Sequence, residues 1–127
     1  MARITTIPLF TKRTFPAGES GTSDPIDLRY SANNGYFSLF VQAKNGTFGS
    51  AGTTTFRYVG CTTFNGTYIS PKPGEGTIGT ACTASTTGTA IMSFQPELMP
   101  WMKIIATQVG AGSAGADSLV TAELNVQ

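Results

Sequence analysis

The sequence predicts an all-β protein: a single β-sandwich or jelly-roll-like domain of seven to eight short strands, preceded by an extended N-terminal arm. Three observations carry the prediction. Apolar and polar residues alternate with a period of two along several short runs, the signature of a half-buried strand. Asn-Gly pairs at 34–35, 45–46 and 65–66 supply the positive φ that tight turns demand. No segment shows a helical period, and none repeats at a fixed interval as a solenoid or propeller would.

Residues 1–19 form the arm and residues 20–127 the sandwich. In the arm, Ile4, Ile7, Leu9 and Phe10 are apolar anchors, but Pro8 and Pro16 interrupt a regular ladder. Two conformations satisfy this pattern. The segment folds back as an edge strand of its own domain, or it reaches a neighbouring subunit, each large anchor there contributing about 1.5–3 kcal/mol.

The body opens with a short strand that puts Ile26 and Leu28 on one face. A turn at 31–35 leads to the clearest strand, 36–43, with Phe37, Leu39, Val41 and Ala43 facing inward. Tyr36 and Phe40 on its other face imply that this side is partly covered. In 53–60, Thr54, Phe56 and Tyr58 alternate with Thr55, Arg57 and Val59, a composition suited to a pleated, half-buried surface. The turn at Asn65-Gly66 precedes Tyr68 and Ile69. Residues 71–89 read as loop, with Ile78 and Cys82 anchoring at most a short strand. A strand resumes at 90–94 and a proline corner follows at 96–100. Then Met102, Ile104 and Ala106 share one face, with Trp101, Lys103, Ile105 and Thr107 on the other. After a Gly/Ala/Ser loop at 110–118, Val120, Ala122, Leu124 and Val126 alternate to the end. These last two strands are expected to pair as a hairpin at the edge of the core.

Composition narrows the function. Charged residues are only 12% of the chain and the net charge is +1, while 40% of residues are hydrophobic. A typical domain carries about twice that share of charge. Low charge suits a subunit packed against others. It excludes nucleic acid as main partner, since phosphate binding needs clustered Lys and Arg. No run reaches the roughly 20 apolar residues of a membrane span, and the first residues lack the apolar core of a signal peptide. Synthesis and folding in a cytoplasm are therefore expected.

Catalytic signatures are missing. With no histidine, triads and most metal sites are eliminated. The glycine-rich pieces at 74–76 and 110–112 do not make a phosphate loop. Asp24 and Asp27 tend to opposite faces of a strand, and Glu75, Glu97, Asp117 and Glu123 fall in turns or on outward faces, which disfavours a glycosidase pair. No catalytic residue, metal site or cofactor is assigned. Trp101 is a candidate interface anchor or sugar-stacking ring, the former being commoner for a tryptophan between Pro100 and Met102. Cys61 and Cys82 are either disulfide partners or two buried thiols, and a reducing compartment favours the thiols. The sequons at Asn45 and Asn65 are accounted for by their turns.

Four stretches resemble small β-sandwich virion proteins of tailed bacteriophages: TSDPIDL at 22–28, GYFSLFVQ at 35–42, PWMKI at 100–104 and VTAEL at 120–124. Where many such proteins carry a Ser-x-Asp-Gly-x-Trp motif, this chain has GCTTFNG at 60–66. The resemblance spans about residues 20–127. It implies a non-enzymatic virion protein made in the host bacterial cytoplasm, a capsid decoration or cement protein or a tail or baseplate component. The implied partners are the major capsid protein, other virion proteins and further copies of itself. The rival from another class is a carbohydrate-binding module using Trp101 and the tyrosines.

Overall fold

The computed structural model describes residues 4–16, 19–29, 36–45, 53–72, 76–82, 87–97, 99–109 and 117–127. These residues form nine strands and no helix: β1 (Thr5–Pro16), β2 (Ser20–Thr22), β3 (Ile26–Asp27), β4 (Phe37–Asn45), β5 (Thr53–Cys61), β6 (Thr77–Cys82), β7 (Thr87–Phe94), β8 (Trp101–Val109) and β9 (Asp117–Val126). They pair in two antiparallel sheets. One has the order β1-β9-β4-β7; the other has the order β2-β8-β5-β6, with β3 also pairing β8. The protein is a β-sandwich.

The alternation seen in the sequence sets which side chains lie between the sheets. Phe37, Leu39 and Val41 of β4 and Val120, Ala122, Leu124 and Val126 of β9 are buried from one sheet. Phe56 and Tyr58 of β5 and Met102, Ile104 and Ala106 of β8 are buried from the other, with Ile26 and Leu28 closing one side. All belong to one continuous apolar cluster. Each fully buried large side chain contributes about 1.5–3 kcal/mol relative to exposure. Most polar groups inside are tied down, although Gln108 Nε2 finds no hydrogen-bond partner among the described residues. Ser23 Oγ accepts a hydrogen bond from the Ile104 N–H (2.9 Å), and Thr54 Oγ1 donates to Gln108 Oε1 (3.2 Å).

Three expectations need correction. First, β8 and β9 are not an edge hairpin. Each is central in a different sheet, β8 beside β5 and β9 between β1 and β4. A greasy face at period two fixes the side that is buried, not the neighbour that is hydrogen-bonded. The Gly/Ala/Ser loop expected between them lies outside the described residues. Apolar faces of β8 and β9 meet across the core.

Second, the residues expected to form an arm are an edge strand. β1 pairs with β9 from Thr5↔Val126 to Pro16↔Asp117. The prolines are accommodated because an edge strand needs donors on one side only, and because the ladder shifts register between Pro8 and Phe10 and between Phe10 and Arg13. At the second shift Lys12 adopts a φ of 47°, and its N–H reaches Thr121 Oγ1 at 3.1 Å. The shifts let Ile7, Leu9 and Phe10 all pack on the core, which strict alternation forbids for the adjacent pair.

Third, of the two readings left open for Cys61 and Cys82, the bridge is the one that fails. Cys61 is a buried free thiol at one end of β5, opposite Trp101. The ladder sets Cys82 opposite Thr53, at the other end of the same strand. At about 3.3 Å per residue the two backbones are roughly 26 Å apart, and a disulfide needs Cα atoms within about 7 Å. A smaller difference concerns 71–89: β6 and the first residues of β7 are strands there, because β5 and β4 supply ladder partners for a Thr/Gly-rich stretch with little apolar alternation of its own.

Candidate functional site

With the apolar alternation spent on the core, function is sought on the two outer faces. On the face formed by β8 and β5, Trp101 and Lys103 point outward and are half-buried, because the chain after β5 folds back over them. The fold-back is a tight turn in which the Gly66 N–H donates to Thr63 O (3.3 Å), and Ile69 rejoins Gly60 through two backbone bonds of 3.0 Å. A Cβ on Gly66 would collide with Cys61 Sγ and Thr63 Oγ1, so any larger residue there must push both side chains aside.

This turn carries Phe64 onto Trp101, ring centroids 5.2 Å apart and planes at 74°. The Arg29 guanidinium lies 4.9 Å from the Trp101 centroid. Asp27, opposite Trp101 in the ladder, holds that guanidinium through Nε–Oδ1 (2.9 Å) and Nη2–Oδ2 (2.8 Å). The same side chain and the Arg29 N–H keep the Asp27 carboxyl below the usual aspartate range. Lys103 Nζ sits 4.3 Å from the Tyr68 centroid, and the Tyr68 hydroxyl donates to Phe64 O (3.0 Å). Burial raises the Tyr68 phenol above its ordinary value. The result is a patch of interlocked rings and cations, with Phe64 50% and Ile69 64% exposed beside it. A sugar stacking on the Arg29 side of Trp101 would have to displace the guanidinium.

The opposite outer face is built differently. Phe40 of β4 and Ile91 of β7 are cross-strand neighbours, and Ile91 is 73% exposed. Where β1 begins and β9 ends, a shallow groove of about 570 Å³ is lined by Ile4, Tyr36, Phe37, Phe94 and Val126, with Asn125 at its rim. Among the described residues no charged side chain lines it.

Of the residues singled out in sequence, Trp101 is at the centre of the first patch and Ile4 borders the groove. Ile7 and Leu9 are partly buried against the core and Phe10 is buried within it. The pattern did not single out Arg29, Phe64 or Ile91. An aromatic residue next to an Asn-Gly turn, out of phase with any strand, was the available signal for Phe64. Among the described residues no group of three or more His, Cys, Asp or Glu side chains is placed to hold a metal.

Comparison with known proteins gives the following. No protein-family model matches the chain, and no curated protein matches it. Among solved structures, it is similar to a structure of the Gt strain of infectious bursal disease virus, at 13% identity and a TM-score of 0.45 over 98% of this chain and 32% of that one. It is likewise similar to a structure of the Gx strain, at 14% identity and a TM-score of 0.42 over 98% of this chain and 33% of the other. A third is the crystal structure of the VP2 subviral particle of that virus, at 20% identity and a TM-score of 0.35 over 98% and 32% of the two chains. The chain spans about a third of the length of each of these.

Proposed function

We propose that this chain is a non-enzymatic structural protein of a tailed-phage virion, a decoration or cement protein that stabilises the head through contacts between subunits. The carrying observation is the placement of its exposed large apolar residues. Phe64 and Ile69 lie beside the Trp101 patch, Ile4 and Tyr36 border the groove at one end of the other sheet, and Ile91 stands apart beside Phe40. Scattered exposed apolar residues are ordinary, but grouped ones mark contact surfaces. Two such groups on opposite sheets let one rigid sandwich touch two neighbours, as an adhesive subunit must. Low charge agrees, because such contacts depend on shape and buried area. The four stretches that resemble phage virion proteins support the choice of particle. Residues 5–16 contribute mainly as an edge strand, with Ile4 the anchor left for a neighbour. A tail or baseplate position is the alternative within the same reading.

Quantitative mass spectrometry of purified virions tests it: hundreds of copies per particle mark a head protein, and a few to a few dozen a tail component. Absence from the particle overturns the reading. Loss of particle occupancy on Phe64→Ser with Ile69→Ser, and separately on Ile91→Ser, is expected if both faces are used.

A further inference from the structure

Five strands form the open sides of the two sheets, and four of them are unsuited to pairing with another chain. β1 carries Pro8, Pro16, Lys12, Arg13 and two register shifts. β2 and β3 are three and two residues long. β6 has six residues, and its ladder with β5 is shifted between Phe56 and Arg57. Short length, proline, charge and bulges are the usual protections of an open edge. β7 has none of them. It runs eight residues, TGTAIMSF, without proline or charge, and pairs with β4 without a break from Phe37↔Phe94 to Lys44↔Thr87. Among the described residues no strand is hydrogen-bonded to its other side, although β6 packs nearby with Gly79 against Met92.

We propose that β7 pairs antiparallel with β7 of a second copy of this chain, across a two-fold axis at Ile91, to make one continuous eight-stranded sheet. A two-fold perpendicular to the sheet keeps outward residues outward, so directly opposed residues must belong to the same face. That parity places the axis through a residue, and Ile91 gives complementary pairs. On the outer face Ile91 meets the partner's Ile91 and Thr89 meets the partner's Ser93, a hydroxyl pair. On the inner face Met92 meets the partner's Ala90 and Phe94 meets the partner's Gly88, large against small. The half-buried Met92 and Phe94 gain cover, and the 73%-exposed Ile91 joins a row that begins at Phe40. A second copy fits better than a charged partner segment because an uncharged strand meets itself without repulsion, and a two-fold contact is self-complementary. The pairing does not depend on the virion reading, and its test uses no particles.

Cysteine cross-linking of the full chain in solution, with the unsubstituted protein as control for Cys61 and Cys82, tests both pairing and register. Opposed Cα atoms lie about 4.5–5.5 Å apart in an antiparallel pair, within disulfide reach. Ile91→Cys is therefore expected to give an oxidised dimer. Thr89→Cys alone is expected to give none, and a mixture of Thr89→Cys with Ser93→Cys restores it. Sedimentation equilibrium of the unsubstituted protein should show a species of twice 13.3 kDa. Ile91→Lys should abolish that species while circular dichroism stays unchanged. A protein monomeric at every concentration overturns the proposal, and so does Thr89→Cys cross-linking as readily as Ile91→Cys.

Discussion

The two outer faces of the sandwich expose comparable side chains, yet only one has furnished them. On the β8–β5 face the exposed rings are held by partners within the chain: Arg29 and Phe64 on Trp101, Lys103 on Tyr68. On the β4–β7 face Ile91 protrudes with Phe40 as its cross-strand neighbour. A pre-ordered patch loses little side-chain freedom when a neighbour docks, whereas a bare one offers mainly area. The difference teaches that exposure alone does not rank contact surfaces; what the side chains already touch matters as much.

The largest effect comes from removing what both faces rest on. Phe10→Ala should cost about 3–5 kcal/mol in urea unfolding, because Phe10 is 3% exposed within the core. Ile4→Ala should change stability by no more than about 0.5 kcal/mol. Equal, small effects for the two would restore the picture of a detached arm. Next, Gly66→Ala should cost about 1–3 kcal/mol by forcing the turn apart and should red-shift Trp101 fluorescence as Phe64 lifts away. An unshifted spectrum would mean that the turn does not order the patch.

Arg29→Ala should remove about 0.5–1 kcal/mol through the ring contact and return the Asp27 titration, followed by carboxyl NMR, toward the ordinary aspartate value. Because the Asp27 carboxyl is depressed in the folded protein, its contribution is present at neutral pH and is lost as pH falls through the folded value. Being exposed and screened, it should also weaken with added salt. The smallest effect is Ile91→Ser, within about 0.5 kcal/mol in thermal unfolding at dilute concentration. A large loss there would show that the bare face is structural after all.

How much of this was legible in sequence depends on the physical signal. Burial at period two was readable for Met102, Ile104 and Ala106 and for Val120 through Val126, since a side chain's face follows directly from its position in a strand. Partnership was not, since hydrogen-bonded neighbours leave no mark on alternation; β8 and β9 were therefore joined wrongly. Phe10 was legible as an anchor but not as core, because only the register shift between Pro8 and Phe10 turns it inward together with Leu9. Trp101 stood out by type. Its partner Arg29 could not, because two residues past Asp27 the chain bends, and only the fold shows that the guanidinium returns to the ring.

The pairing of β1 with β9 carries a consequence for biosynthesis. The ladder partners of Thr5–Pro16 leave the ribosome over a hundred residues later, which at about 5–20 residues per second is a wait of several seconds or more. β4 waits as well, since its central neighbour is the same strand. The sheet formed by β2, β8, β5 and β6 draws its ladders from residues up to Val109, so it can assemble first and offer its apolar face as a template. Until β9 emerges, that nascent half-sandwich presents uncovered Phe56, Met102 and Ile104 to solvent, and it is in this interval that the chain would most need a chaperone.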